Sequence, residues 1–246
     1  MKADPTAQAT LLELQAQDAL LAQLQHRRNT LPELAEIATL EARAKELDGQ
    51  RIEHDTAASD LSRAQKKADA EVELVKTRRA RDEERLNSGA VSNPKDLASL
   101  QHELVALERR IGTLEDDELE IMEALEEAQA RLANVQGDLT AVRSELDQKI
   151  DARDAAIAVL DQQAAEAQAE RGTVVVGVPA DLIALYDKLR SQYGTGAAAL
   201  RARRCEGCRL EINGADLREL AALPEDEVLR CPECSRILVR TPESGL

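Results

Sequence analysis

Residues 97–146 read LASLQHELVALERRIGTLEDDELEIMEALEEAQARLANVQGDLTAVRSEL. Apolar side chains recur there at alternating steps of three and four: Leu97, Leu100, Leu104, Leu107, Ile111, Leu114, then Ile121, Leu125, Ala128, Leu132, Val135, Leu139, Val142 and Leu146. Of the 15 positions in this series only Glu118 is charged. Spacing of this quality over seven heptads predicts a helix with a coiled-coil seam. A looser series precedes it, through Ile37, Leu40, Ala44 and Leu47, weakening at Arg51, His54 and Ala58, and resuming at Leu61, Ala68, Val72 and Val75.

Between the two seams lies LNSGAVSNP, residues 86–94, a dense cluster of turn formers. Ser92 or Asn93 can cap the following helix, with Pro94 in its first turn, where the missing amide proton costs nothing. The simplest geometry folds the chain back at Ser88 and Gly89 into an antiparallel hairpin. Arm lengths agree with this: residues 94–171 supply 78, while 33–87 supply 55 and a leading segment 6–29, with Leu14, Leu20, Leu21 and Leu24, adds 24. Each arm would span on the order of 120 Å if straight. The expected architecture is mostly α, a long antiparallel coiled-coil hairpin over residues 1–171 with its turn near 86–94. A linker helix and a small β-rich C4 zinc-ribbon head follow over 172–246. A monomer is favoured over an intermolecular coiled coil.

Composition supports this division. The chain has 43% hydrophobic residues but no Trp, no Phe and only Tyr186 and Tyr193, which argues against one large globular core. The formal charge is −15, and the acidity belongs to the helical part. From residue 200 onward there are 8 Lys and Arg against 9 Asp and Glu, leaving 24 against 38 in the first 199 residues. Such a body repels duplex nucleic acid and anionic membranes at long range. The sequence has no run of apolar residues fit to span a membrane and no signal-peptide core in MKADPTAQATLLELQ, so the expected location is cytoplasmic.

All four cysteines fall near the end, as CEGC (205–208) and CPEC (231–234), with 22 residues between the pairs. A CxxC turn aims two thiolates at one point, and two such turns supply a tetrahedral site suited to zinc. In a reducing compartment this spacing indicates metal ligands rather than disulfides. Cys205, Cys208, Cys231 and Cys234 are therefore the expected ligands of one structural Zn2+, with no position left open for water. Around them, Val174–Val178 suggest a short extended segment, Pro179 the start of a helix bearing Leu182, Tyr186 and Leu189, and 198–204 a strand. Asn213 or Asp216 can begin a short helix. Residues 228–230 and 237–240 can pair as a hairpin beside the 198–204 strand.

CPECSRIL, the helix LYDKLR before the cysteines and the turn segment SNPKDLASLQHEL together resemble the bacterial C4-type zinc-ribbon coiled-coil hairpin proteins, a family formerly catalogued as a domain of unknown function. The resemblance covers the whole chain and places the zinc ligands on the same four cysteines. Ser235 departs from it where the family usually carries glycine in a left-handed conformation, and Val239 replaces a frequent tyrosine. The resemblance implies an adaptor or chaperone. Some relatives act as linkers for secretion, flagellar or sigma-factor components.

The expected function is thus a non-enzymatic adaptor or scaffold, with protein partners at the ribbon, at the hairpin tip, or at both. At the tip, KTRRARDEER (76–85) offers Arg78, Arg79 and Arg81 as a candidate docking patch, with Arg78 to Asp82 and Arg79 to Glu83 able to pair along the helix. The alternative is a nucleic-acid- or RNA-polymerase-associated factor binding through the ribbon. There, RARR (201–204), Arg209, Arg218, Arg230, Arg236 and Arg240 could meet phosphates, although stacking aromatics are absent. An enzyme is disfavoured: His26, His54 and His102 pair with no nucleophile, and VVVGVP lacks a phosphate-binding glycine pattern.

Overall fold

A computed structural model describes residues 1–246. In chain order it comprises α1 (Pro5–Asn29), α2 (Pro32–Asn87), α3 (Pro94–Val175), α4 (Ala180–Tyr193), β1 (Ala197–Arg201), β2 (Arg204–Cys205), α5 (Gly214–Ala222), β3 (Leu229–Arg230) and β4 (Ile237–Val239). No helix is long and apolar enough to cross a membrane. The chain divides into two units, residues 35–150 and residues 1–34 with 151–246. In the second of these, α1 carries an apolar face that packs with the strands.

In the unit of residues 35–150, α2 and α3 run antiparallel, and the expected seam is the buried one. Leu100, Ile111, Leu114, Leu125, Ala128 and Leu139 of α3 are buried, as are Ile37, Leu47, Ala58 and Val72 of α2. The weak stretch of the α2 seam keeps its register, since Arg51 and His54 sit half-buried between Leu47 and Ala58. Ion pairs cross the seam in antiparallel order, from Arg79 with Glu108 at 2.5 Å and Lys76 with Glu115 at 2.8 Å to Lys149 with Glu36 at 2.6 Å. Exposed pairs of this kind each contribute at most about 1 kcal/mol, so the apolar seam supplies most of the stability.

The turn follows its residue types. Gly89 takes φ +72°, the left-handed conformation that ends α2. Asn93 Oδ1 then accepts the Lys95 amide at 3.1 Å, and Pro94 opens α3.

In the other unit, α1 packs with α4 and the sheet around Leu11, Leu14, Leu182, Tyr186, Ile237 and Val239. The first residues lie along the ribbon, where the Ala3 amide donates to Asp226 O at 2.7 Å and the backbones of Lys2 and Glu227 pair in a single antiparallel β-bridge. The sheet order is β2-β1-β4-β3, with β3–β4 and β1–β2 antiparallel and β1–β4 parallel. The hairpin expected from residues 228–230 and 237–240 thus forms beside β1. The expected strand over 198–204 is broken at Ala202 and Arg203, whose φ values of 43° and 65° turn the chain between β1 and β2.

Residues 174–178 do not form the extended segment their β-branched run predicts. Val174 and Val175 complete α3 and pack partly buried against the α1–α4 core, and Val178 is buried there. Burial against α1 and α4 outweighs local β preference.

Candidate metal centre

The two cysteine pairs sit on matching turns. Cys205 lies in β2 and Cys208 three residues on; Cys231 directly follows β3 and Cys234 precedes β4. In the first turn the Arg209 amide donates to Cys205 O at 2.7 Å and the Cys205 amide to Leu210 O at 3.1 Å. In the second, the Ser235 amide donates to Cys231 O at 2.8 Å and the Cys231 amide to Arg236 O at 2.9 Å. Arg209 and Ser235, each one residue past a second cysteine, have φ of 62° and 59°. The left-handed conformation usually assigned to glycine at this point is therefore taken by two side-chain-bearing residues.

The four Sγ atoms all lie within 4.8 Å of one another, with Cys205–Cys234 and Cys208–Cys231 each at 3.9 Å. Those separations are about twice a disulfide bond. They fit a tetrahedral thiolate set, whose edges are ~3.8 Å for metal–sulfur bonds of ~2.3 Å. The donor set is all sulfur, which favours zinc.

Electrostatics favour a cation in the same place. Burial pushes the Cys205 and Cys231 thiols up, against hydrogen bonds from the amides of Cys208 and Gly207 and of Cys234 and Glu233. At Cys234 burial acts upward too, but the Arg236 amide and the neighbouring hydrogen bonds prevail and bring it down to about 7. Four thiolates this close repel one another unless a cation lies among them, which couples metal binding to proton release. Gly207 permits a close approach here, since a Cβ there would lie 3.0 Å from the Ala198 Cβ and the Arg236 Cδ.

Several ribbon arginines are engaged within the fold. Arg236 donates to Thr195 O at 3.2 Å and Tyr193 O at 3.1 Å, and its guanidinium lies 5.3 Å from the Tyr193 ring centre. Arg240 reaches Leu220 O, Leu223 O, Glu225 O and Glu227 O, holding the chain between α5 and β3. Arg230 binds Ser235 O, and Arg201 pairs with Glu243. Arg203, Arg204, Arg209 and Arg218 carry no ion pair or hydrogen bond on their side chains.

At the hairpin tip, Arg78 pairs with Glu103 across the seam and lies 3.8 Å from Asp82. Arg79 pairs with Glu108 and lies 3.9 Å from Glu83, so both pairings expected along the helix are present. Asp82, which reads as a solvated charge, is buried on the seam and also faces Arg85 at 3.5 Å. Of the three candidate arginines, only Arg81 has no partner.

A buried polar cluster has no counterpart in the sequence reading. Asp18 of α1 is 5% exposed and accepts from Arg171 Nε at 2.8 Å, Arg190 at 2.6 Å and Tyr186 Oη at 2.7 Å. Burial and the Asp18 bond hold the Tyr186 hydroxyl protonated, well above the usual phenol range. The signal was available: Asp18 continues the stripe of Ala7, Leu11 and Leu14 at helical spacing.

Comparison with known proteins agrees with this architecture. The model of a CT398-like coiled coil hairpin domain matches residues 14–194, and that of a C4-type zinc ribbon domain matches residues 204–238. An uncharacterized Mycobacterium tuberculosis protein is 38% identical over 240 residues, covering 98% of each chain. A Mycobacterium smegmatis structure superimposes with TM-score 0.86 at 35% identity, covering 98% of this chain and 100% of that one. CT398 from Chlamydia trachomatis shares the fold, with TM-score 0.69 at 16% identity over 96% of this chain and 98% of its own. The chain therefore belongs to the CT398-like coiled-coil hairpin family and ends in a C4-type zinc ribbon.

Proposed function

We propose that the protein is a non-enzymatic interaction scaffold whose ribbon is folded around one structural zinc ion per chain. The observation that carries this reading is the all-cysteine site: Cys205, Cys208, Cys231 and Cys234 converge within 4.8 Å. Zinc held by four thiolates supplies a cross-link and no vacant position for substrate or water. The thiol ligands suit a reducing cytoplasm. What remains for function is surface, at the ribbon and at the arginine-bearing end of the hairpin, where partner proteins would dock.

A second reading, nucleic-acid binding through the ribbon, is favoured by one observation. Arg203, Arg204, Arg209 and Arg218 have free guanidinium groups, the form in which arginine contacts phosphate. Affinity capture from native lysate, with and without nuclease and at rising salt, separates the two, with zinc content measured on the same preparation. Discrete proteins retained through nuclease support the scaffold. Recovery that collapses with nuclease and falls steeply with salt moves the function to nucleic acid.

A further inference from the structure

Near its turn the hairpin has a groove of about 440 Å³ between α2 and α3, with Leu74, Val75, Arg78 and Arg81 on one side and Leu107 and Arg110 on the other. Leu74 is 71% exposed, the most exposed leucine in the chain. A leucine so placed on a coiled coil gains nothing from folding. The rim is cationic in a unit otherwise rich in carboxylates. Lys76, Arg78 and Arg79 each have a partner across the seam, in Glu115, Glu103 and Glu108. Arg81 and Arg110 have none.

We infer that this groove is a docking site for an amphipathic helix of a partner protein, one that presents leucine-like side chains flanked by Asp or Glu. The apolar floor takes the apolar stripe, and the two unpaired guanidinium groups take the carboxylates. Leu74, Arg78 and Arg81 stand at i, i+4 and i+7 on α2, a length of ~10 Å, or two helical turns. A groove of that length accommodates about two turns of a docking helix, whose own anchors recur at i, i+3 or i+4 and i+7. Charge complementarity selects the sign of the partner and speeds the encounter. A phosphate backbone makes no use of the apolar floor, and Tyr193, the exposed one of the two tyrosines, lies in the other unit.

This assignment rests on the scaffold reading and names the partner chemistry for one of its surfaces. The probe is a fluorescein-labelled helical peptide of about 18 residues, with leucines at i, i+3 and i+7 flanked by glutamates, titrated with the full-length zinc-loaded chain. Anisotropy should report micromolar binding that weakens with salt. Arg81→Glu with Arg110→Glu should weaken it more than about tenfold and confer binding of the matching lysine peptide, while Leu74→Ser should weaken it by roughly tenfold. All three positions lie on the groove surface, and unchanged helicity by circular dichroism confirms folding.

Equal affinity in the charge-reversed variant overturns the assignment. So does a single-stranded oligonucleotide that binds as tightly and is lost with the same substitutions, because the ligand is then nucleic acid. A dimer seen by sedimentation and dissolved by Arg81→Glu, with no peptide binding, gives the groove to a second copy of the chain. Lysate capture with the same variant separates the two levels. Proteins retained when the peptide fails leave the scaffold reading standing without the groove, whereas no proteins captured by the wild type removes the scaffold reading itself.

Discussion

Asp18→Asn tests the largest feature outside the zinc site. The substitution keeps the shape of the side chain and removes the charge that Arg171, Arg190 and Tyr186 address at 2.8, 2.6 and 2.7 Å. Removing one partner of a buried ion pair costs about 3–5 kcal/mol when the remaining charge is stranded. Here neither cation is stranded: Arg171 retains Asp187 at 3.2 Å, and the Arg190 side chain is 39% exposed and can reach water. Tyr186 retains Gln15 Oε1 at 3.3 Å, a weaker acceptor. These losses place the cost nearer ~2–3 kcal/mol. With no Trp or Phe in the chain, near-ultraviolet circular dichroism comes from Tyr186 and Tyr193, both beside the ribbon. For an m-value of about 2 kcal/mol per molar urea, the tyrosine transition should move down by roughly 1–1.5 M. Far-ultraviolet signal from residues 35–150 should keep its midpoint. A tyrosine midpoint shifted by less than about 0.3 M would refute the claim that this cluster fastens α1 to α3 and α4.

Cys231→Ser should abolish stoichiometric zinc binding and make residues 200–246 protease-sensitive while the hairpin keeps its helicity; full protease resistance in the variant would separate the ribbon fold from its metal. Zinc affinity should rise with pH between about 6 and 8, because Cys205 and Cys231 are held protonated by burial and must each release a proton on binding. Chelator competition across that range checks the slope, and a flat profile counts against a four-thiolate site. Gly196→Ala should destabilise the tyrosine-reported unit by ~1–3 kcal/mol, since its Cβ would lie 2.6 Å from both the Tyr186 ring and the Tyr186 carbonyl. Ser235→Gly should instead stabilise the ribbon by up to about 1 kcal/mol, by relieving a left-handed φ of 59°, as read from the thermal midpoint.

The seam of α3 was legible because a coiled coil repeats one simple contact, so periodicity alone locates its buried face. The cap at Asn93 and Pro94 and the four cysteines were legible for a related reason, since each depends on residue type at fixed short spacing. What escaped involves residues far apart in the chain. Asp18 gains its meaning from Arg171 and Arg190, more than 150 positions away; its place on the apolar stripe of α1 marks it as buried but does not name those partners. Arg79 likewise reads as part of a basic patch until α3 supplies Glu108. The Val174–Val176 run failed differently: its β-branched residues favour a strand in isolation, but Val174 and Val175 bury against α1 and α4 by extending α3.

A small ribbon with this composition faces a shortage of apolar volume, and the structure meets it in two ways that share a physical logic. The core around Leu200, Ile212, Leu217, Leu229 and Leu238 contains no aromatic ring and closes on the cysteines, where a metal ion would replace packing with coordination bonds. The neighbouring core borrows α1, bringing in Leu11 and Leu14, and uses Tyr186 as its one aromatic side chain. Tyr186 can be buried only if its hydroxyl has an acceptor, which Asp18 provides; Asp18 can be buried only with cations beside it, which Arg171 and Arg190 provide. Each polar group therefore requires the next, and the chain of requirements links α1, α3 and α4. The ribbon inherits this order through Gly196, whose amide donates to Gln15 Oε1 at 2.8 Å and whose missing side chain lets β1 begin against the Tyr186 ring.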